Sequence, residues 1–237
     1  MKERPLCVLS VLGLCALSTP VRADAPVHLD LAEKALAGKA LSEKELVPRG
    51  FLKNGEARGD LNGDGLDDLA LIVHKAPRTK GPEADEAVVQ LVLIFLANRS
   101  GKYELWRSGD NHYDDWVASY SDEDNEVGVL QIKKGVLTIA SAMPTGSGSW
   151  TGQTCTTKWR NGPAGFQLIG LTVADFDKRC ACGSSTDTNF LTGRKVYETD
   201  NDSDGEQLKK PRVKKKKGKP TVILWEDFEW AKMCTSG

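Results

Sequence analysis

The residues whose types and spacing point to chemistry lie in one nine-residue string, Asp60-Leu61-Asn62-Gly63-Asp64-Gly65-Leu66-Asp67-Asp68. Counting from Asp60, oxygen-bearing side chains fall at positions 1, 3, 5 and 9, namely Asp60, Asn62, Asp64 and Asp68. Gly65 occupies position 6, where the chain must bend sharply, and Leu66 at position 7 offers its backbone carbonyl. Calcium takes about six to eight hard oxygen ligands, and alternate residues of a tight loop aim theirs inward. Carboxylates crowded in this way repel one another unless a cation or protons compensate. The expected ligand is therefore Ca2+, held by Asp60, Asn62, Asp64, Leu66 and Asp68.

A loop of this kind needs a rigid frame, and the sequence around it has the period of short strands. Apolar or alternating runs cover 69–74, 88–97, 102–107, 127–132, 136–140, 154–159, 166–171 and 222–225. Asn98-Arg99-Ser100-Gly101, Lys133-Lys134-Gly135 and Arg160-Asn161-Gly162 are hairpin-sized turns between some of them. Short strands punctuated by Gly and Asn turns indicate antiparallel, mainly β architecture. The nearly continuous apolar run at 88–96 fits a central strand covered on both faces. Before the strands, 30–46 is rich in Ala, Leu, Glu and Lys, with Leu31, Ala35 and Leu36 read as one face. Gly38 divides it into a short helix and a second turn starting at Ser42, whose Ser-x-x-Glu form is a capping box. The expectation is a mainly β fold of antiparallel sheets with a short N-terminal helical segment. Its assembly is read as propeller-blade-like, with a β-sandwich as the alternative.

The chain begins with an address. Lys2 and Arg4 precede the apolar run at 6–17, and Val21-Arg22-Ala23 reads as a cleavage site before Asp24. The run is shorter than the roughly 20 apolar residues a membrane span needs. Residues 1–23 are thus expected to be a signal peptide, and 24–237 a single β-rich domain in the periplasm or outside the cell. The whole chain carries a net charge of −1. Without residues 1–23 it is more acidic still, which argues against nucleic acid as the main partner. Cys155, Cys180, Cys182 and Cys234 remain in the exported part, an even number that suggests disulfides. Cys180 and Cys182, two apart, look sterically poor as a pair, which joins Cys155 to one of them and Cys234 to the other. Paired zinc-ligand spacing is lacking.

Position 12 of the acidic loop separates it from an EF-hand. That position requires a carboxylate, and here it is Leu71 inside an apolar run, so Asp68 must close the site. The string Gly59-Asp60-Leu61-Asn62-Gly63-Asp64-Gly65-Leu66-Asp67-Asp68-Leu69-Ala70 resembles the calcium loop of FG-GAP or VCBS-type repeats, as in integrin-like β-propellers and many secreted bacterial proteins. Val47-Pro48-Arg49-Gly50-Phe51, Gly146-Ser147-Gly148-Ser149-Trp150, Thr156-Thr157-Lys158-Trp159, Gly165-Phe166-Gln167-Leu168-Ile169-Gly170 and Asn189-Phe190-Leu191-Thr192-Gly193 also look like segments of small exported bacterial proteins with one such loop. The resemblance implies calcium and a β-fold, and no activity.

Other signals are weaker. Asp200-Asn201-Asp202-Ser203-Asp204-Gly205 copies the first half of a calcium loop, but Leu208 and Pro211 stand where closing ligands belong. With the lysine-rich stretch that follows, it reads as a flexible charged loop at about 198–220. The lysine run lacks interleaved aromatics, and Asp122-Glu123-Asp124-Asn125-Glu126 reads as a solvated turn. Neither an HExxH pair nor a GxSxG elbow occurs. His112, Asp114 and Asp115 would have to gather for a hydrolase. Of Trp106, Trp116, Trp150, Trp159, Trp225 and Trp230 most suit a core, while Trp116 and Trp150 sit in polar contexts suited to ligand contact. The expected function is non-catalytic: a secreted calcium-binding protein whose ion stabilises the fold and whose partner is a protein or cell-envelope glycan. An inhibitor or immunity-type protein is the first rival, and a hydrolase the second.

Overall fold

The computed structural model describes residues 27–75, 90–110, 130–144, 151–201 and 207–234. Residues 1–23, the stretch 77–86, His112, Asp114, Asp115, Trp116, residues 122–126 and the turn at 146–150 lie outside these.

Four strands follow one another in an antiparallel meander: β1 (Phe51–Gly59), β2 (Asp68–Lys75), β3 (Gln90–Ala97) and β4 (Tyr103–Asp110). A second meander contains β5 (Leu130–Lys133), β6 (Val136–Pro144), β7 (Thr151–Gly162), β8 (Gly165–Asp177), β9 (Cys182–Asn189), β10 (Arg194–Asn201) and β11 (Gln207–Lys217). The protein is mainly β, with antiparallel sheets and one short helix near the N-terminus, α1 (Val27–Leu36). The first meander has the size of a propeller blade. The second, with seven strands, packs against it as one layer of a sandwich packs on another.

The apolar run at 88–96 has the predicted role over its described part. Leu91, Leu93 and Phe95 of β3, with Leu69, Leu71 and Val73 of β2, face one core with Leu29, Ala32 and Leu36 of α1. Val92 and Ile94, with Ala70 and Ile72, face a second core with Ile132, Leu137, Ile139, Trp159 and Phe166 of the other sheet. Successive strand residues point to opposite faces, so only a strand covered on both sides needs an unbroken apolar sequence. Each such side chain contributes about 1.5–3 kcal/mol on burial. The helix ends near Gly38 (φ +69°), and Ser42 with Glu45 forms the capping box of the next turn. The buried face of α1 is Leu29, Ala32 and Leu36, not the face containing Leu31, which is 54% exposed.

The C-terminal segment stitches the two sheets together. After β11 it runs back over the second sheet, where the Leu168 N–H donates to the Ile223 carbonyl (2.9 Å). The expected strand at 222–225 is instead a bridge at Leu224 followed by a 3-10 turn, Trp225–Asp227. Trp225 Nε1 donates to the Ser108 carbonyl of β4 (2.8 Å), and its ring packs edge-on to Trp159 of β7 (4.9 Å). The short helix α2 (Trp230–Met233) then delivers Cys234 to Cys155.

The disulfides correct the sequence-based pairing. Cys155 pairs with Cys234 (Cα–Cα 5.5 Å), and Cys180 pairs with Cys182 (Cα–Cα 5.1 Å). The β8–β9 turn doubles back between them through Ala181 in the left-handed region (φ +52°). That reversal brings the two Cα atoms within disulfide range, which an extended chain would not do. A second correction concerns 198–220. Instead of a charged loop, Gln207–Lys217 forms β11, antiparallel to β10 from Arg194↔Lys217 to Asn201↔Gln207.

Candidate metal centre

The acidic string is the connection between β1 and β2, placed at the seam between the sheets. Gly59 closes β1 against Ile132 of β5, and a Cβ there would come within 2.7 Å of the Ile132 side chain. The next residue, Asp60, runs beside the β5–β6 turn, its carbonyl oxygen 3.9 Å from where a Cβ on Gly135 would lie. Leu61 turns inward and is buried in the core shared by both sheets, anchoring the loop. Gly63 and Gly65 take φ of +83° and +82°, a conformation that costs side-chain-bearing residues strain.

Of the five sequence-predicted residues, Asn62 and Asp64 meet through their side chains, and Asp60 is held by the backbone of the same loop. Asp60 accepts from the N–H groups of Gly63 (2.6 Å) and Gly65 (2.9 Å). Asn62 Oδ1 accepts from the Asp64 N–H (2.9 Å), and Asn62 Nδ2 donates to Asp64 Oδ2 (3.0 Å). Asp64 Oδ1 in turn accepts from the Leu66 N–H (2.9 Å). The Gly65 and Gly63 N–H groups hold the Asp60 carboxyl below the ordinary carboxylate range, so it is a ready anion at neutral pH.

Asp68 has a different place. It is fully buried at the start of β2, where Oδ2 accepts from the Leu61 N–H (2.8 Å) and Oδ1 from the Ala97 N–H (2.9 Å). Its carboxylate therefore ties the loop to the end of β3. Burial raises its pKa above the usual value against the lowering by those two donors, and the Asp64 and Asp60 charges push it further up. Each carboxylate oxygen has two lone pairs, so one N–H per oxygen leaves Asp68 with acceptor capacity.

Among the described residues, no three Asp, Glu, His or Cys side chains are grouped so as to hold a metal ion. The donor set rests on Asn62 and a backbone carbonyl as well as on carboxylates. Oxygen donors alone, without imidazole or thiolate, fit calcium or magnesium rather than zinc or copper. Where calcium binds, Asp60, Asn62 and Asp64 are the residues that would hold it, with Leu66 contributing its carbonyl and Asp68 its remaining lone pairs.

The half-loop beginning at Asp200 does not repeat this arrangement. Asp200 belongs to β10 and accepts from the Gly183 N–H, and residues 202–206 lie outside the described part. A recess of about 580 Å³ beside the Cys180–Cys182 turn includes Asp175, Asp177 and Asp200 in its wall. Asp175 accepts from Gln153 Nε2 (2.8 Å) and Asp177 pairs with Arg179 (2.6 Å), so these carboxylates have structural partners. Trp159, Trp225 and Trp230 are buried and Trp106 partly so, as expected of core residues. No helix among the described residues is long and apolar enough to cross a membrane. Comparison with protein-family models, curated proteins and solved structures gave no match to this chain.

Proposed function

We propose that this chain is an exported, non-catalytic binding protein whose β1–β2 loop takes up calcium as a structural ligand. The observation that carries the reading is the loop's position: hard oxygen donors at alternate residues, inserted where the two sheets meet. The ion would draw together Asp60, Asn62 and Asp64 and relieve the repulsion of the Asp60 and Asp64 carboxylates with Asp68. It would thereby stiffen the connection held by Leu61 in the shared core and by Asp68 at the end of β3. The resemblance of the loop to FG-GAP or VCBS-type repeats and the leader-like residues 1–23 support the same reading, with the periplasm or the cell exterior as its compartment. Calcium is plentiful there, and extracellular modules of this kind bind at about 10⁻⁴–10⁻³ M.

The test is a calcium titration of the protein and of Asp64→Ala by calorimetry and thermal melting. With about 5 mM calcium and such an affinity, binding adds roughly 1–2 kcal/mol, a rise of about 2–8 °C for a chain of this size. The wild type should show that rise and the variant should not. No heat and no shift in the wild type would remove calcium from the account.

A further inference from the structure

We propose that the β10–β11 hairpin is a docking surface for a linear acidic polysaccharide. This names the partner in the binding reading above and rests on that reading.

The surface is assembled by register, which is why the sequence alone does not display it. Residues directly opposite in an antiparallel pair share a face, and alternate residues along a strand do too. The pairs Lys195↔Lys216, Tyr197↔Lys214 and Thr199↔Arg212 therefore line one face of the hairpin. Along β11, successive members of this row are about 7 Å apart, and partners across the pair about 5 Å. On β9 the same face continues as Thr188, Thr186 and Ser184, all hydroxyl-bearing. Nearer the middle of the sheet it becomes the core face that carries Ile139 and Trp159. At the hairpin that cover ends: Tyr197 is 40% exposed, and Lys195, Arg212, Lys214 and Lys216 are exposed without ion pairs among the described residues.

A few lysines on an outermost strand serve to block unwanted strand pairing. Here seven of the eleven residues of β11 are Lys or Arg, and Pro211 already interrupts the edge as a donor ladder. Edge protection does not account for so many like charges on one strand, whose mutual repulsion an anionic chain lying along it would relieve.

The chemistry selects among anions. The exposed Tyr197 supplies an aromatic ring suited to the C–H face of a sugar, flanked by cations for carboxylate or sulfate groups and by hydroxyls for hydroxyls. Single-stranded nucleic acid calls for successive aromatic platforms, and this face has one. A flat anionic bilayer meets one face of a sheet, whereas Arg194, Lys215 and Lys217 project from the opposite face, around a recess of about 450 Å³. A flexible glycan can follow the edge and reach both.

The experiment titrates the full chain with hyaluronan and heparin oligosaccharides, with dextran as neutral control and oligo-dT and phosphatidylglycerol vesicles as the other polyanions. Expected is salt-sensitive binding of at least one acidic oligosaccharide and none of dextran. Lys214→Glu with Lys216→Glu should weaken it about tenfold or more, and Tyr197→Ala several-fold, with Lys39→Glu unchanged. Since these side chains are exposed, melting curves should match the wild type; Lys214→Ser with Lys216→Ser replaces the reversal if it does not fold. The proposal is overturned by absence of acidic-glycan binding, by binding indifferent to the hairpin variants, or by tighter binding of oligo-dT or vesicles with the same variant dependence. Asp64→Ala, in the β1–β2 loop away from the hairpin, should still bind glycan, so failure of the calcium reading and failure of this one are distinguishable.

Discussion

Replacing Asp68 by Ala separates what the loop does as a fold element from what it does as a cation site. The side chain is fully buried and accepts one N–H on each oxygen, from Leu61 and from Ala97. Hydrogen bonds to a charged group contribute about 1.5–3 kcal/mol each, and their loss leaves two donors without partners in a region poor in water. The gain from no longer burying a carboxylate, whose pKa burial has raised, offsets part of this. The net expectation is a loss of about 2–4 kcal/mol, a drop of about 5–15 °C in melting temperature. Tryptophan fluorescence melting in EGTA removes the cation from the comparison. Under those conditions Asp64→Ala, which gives up only exposed bonds within the loop, should melt within about 2 °C of the wild type. If Asp68→Ala does the same, Asp68 is not the tie between the loop and β3, and the argument for its structural role is wrong.

Two further outcomes follow from the same physics. The Cys155–Cys234 bridge closes a loop with a sequence separation of 79, worth about 4–5 kcal/mol in chain entropy, whereas Cys180–Cys182 closes a separation of 2. Urea titration of the Cys155→Ala/Cys234→Ala pair should therefore show a far larger loss than Cys180→Ala/Cys182→Ala; equal losses would contradict this ordering. Glu56, half-exposed between Lys53 (2.7 Å) and Arg58 (2.7 Å), has its pKa lowered first by the Lys53 hydrogen bond and then by Arg58. Because the folded value lies below the unfolded one, its contribution is present above about pH 4.3 and fades as the pH falls through the depressed value. Glu56→Gln should cost about 0.5–1 kcal/mol at neutral pH and nothing once Glu56 is protonated, so urea midpoints of the two proteins should converge between about pH 5 and pH 3.

Legibility in the sequence tracked burial. The strands β2 and β3 were readable because both faces of their sheet are covered, which demands apolar residues at every position from Leu69 to Val73 and from Leu91 to Phe95. The turn at Lys134 and Gly135 was readable because both take positive φ, a requirement Gly meets at little cost. The strands β9, β10 and β11 left no such trace. Ser184, Thr186, Thr199 and the lysines of β11 lie beyond the cover of the first sheet, where backbone pairing holds a strand without burying its side chains. Hydrophobic period is silent there, so a lysine run read as loop proved to be ladder. The acidic string was legible as candidate cation chemistry, but Asp68's second role was not. Nothing local announces that a loop carboxylate will meet the Ala97 N–H, 29 residues away.

That last contact bears on how the two proposed sites relate. The acidic loop lies at the seam, fixed through Leu61 to the shared core and through Asp68 to β3, while the basic hairpin is the far edge of the other sheet. Between them stand the strands β6, β7, β8 and β9 and the Trp225 strap that joins the sheets. A cation at the loop would stabilise the seam without touching the hairpin, so its effect on glycan affinity could come only through the folded population. At temperatures well below melting that population is already near complete, and calcium should leave the affinity unchanged. Near the midpoint, where added stability changes the fraction folded, calcium should raise apparent binding in step with the melting shift and no further. A calcium effect on affinity at low temperature would mean direct coupling between seam and hairpin, which the rigid strands between them give no element to carry.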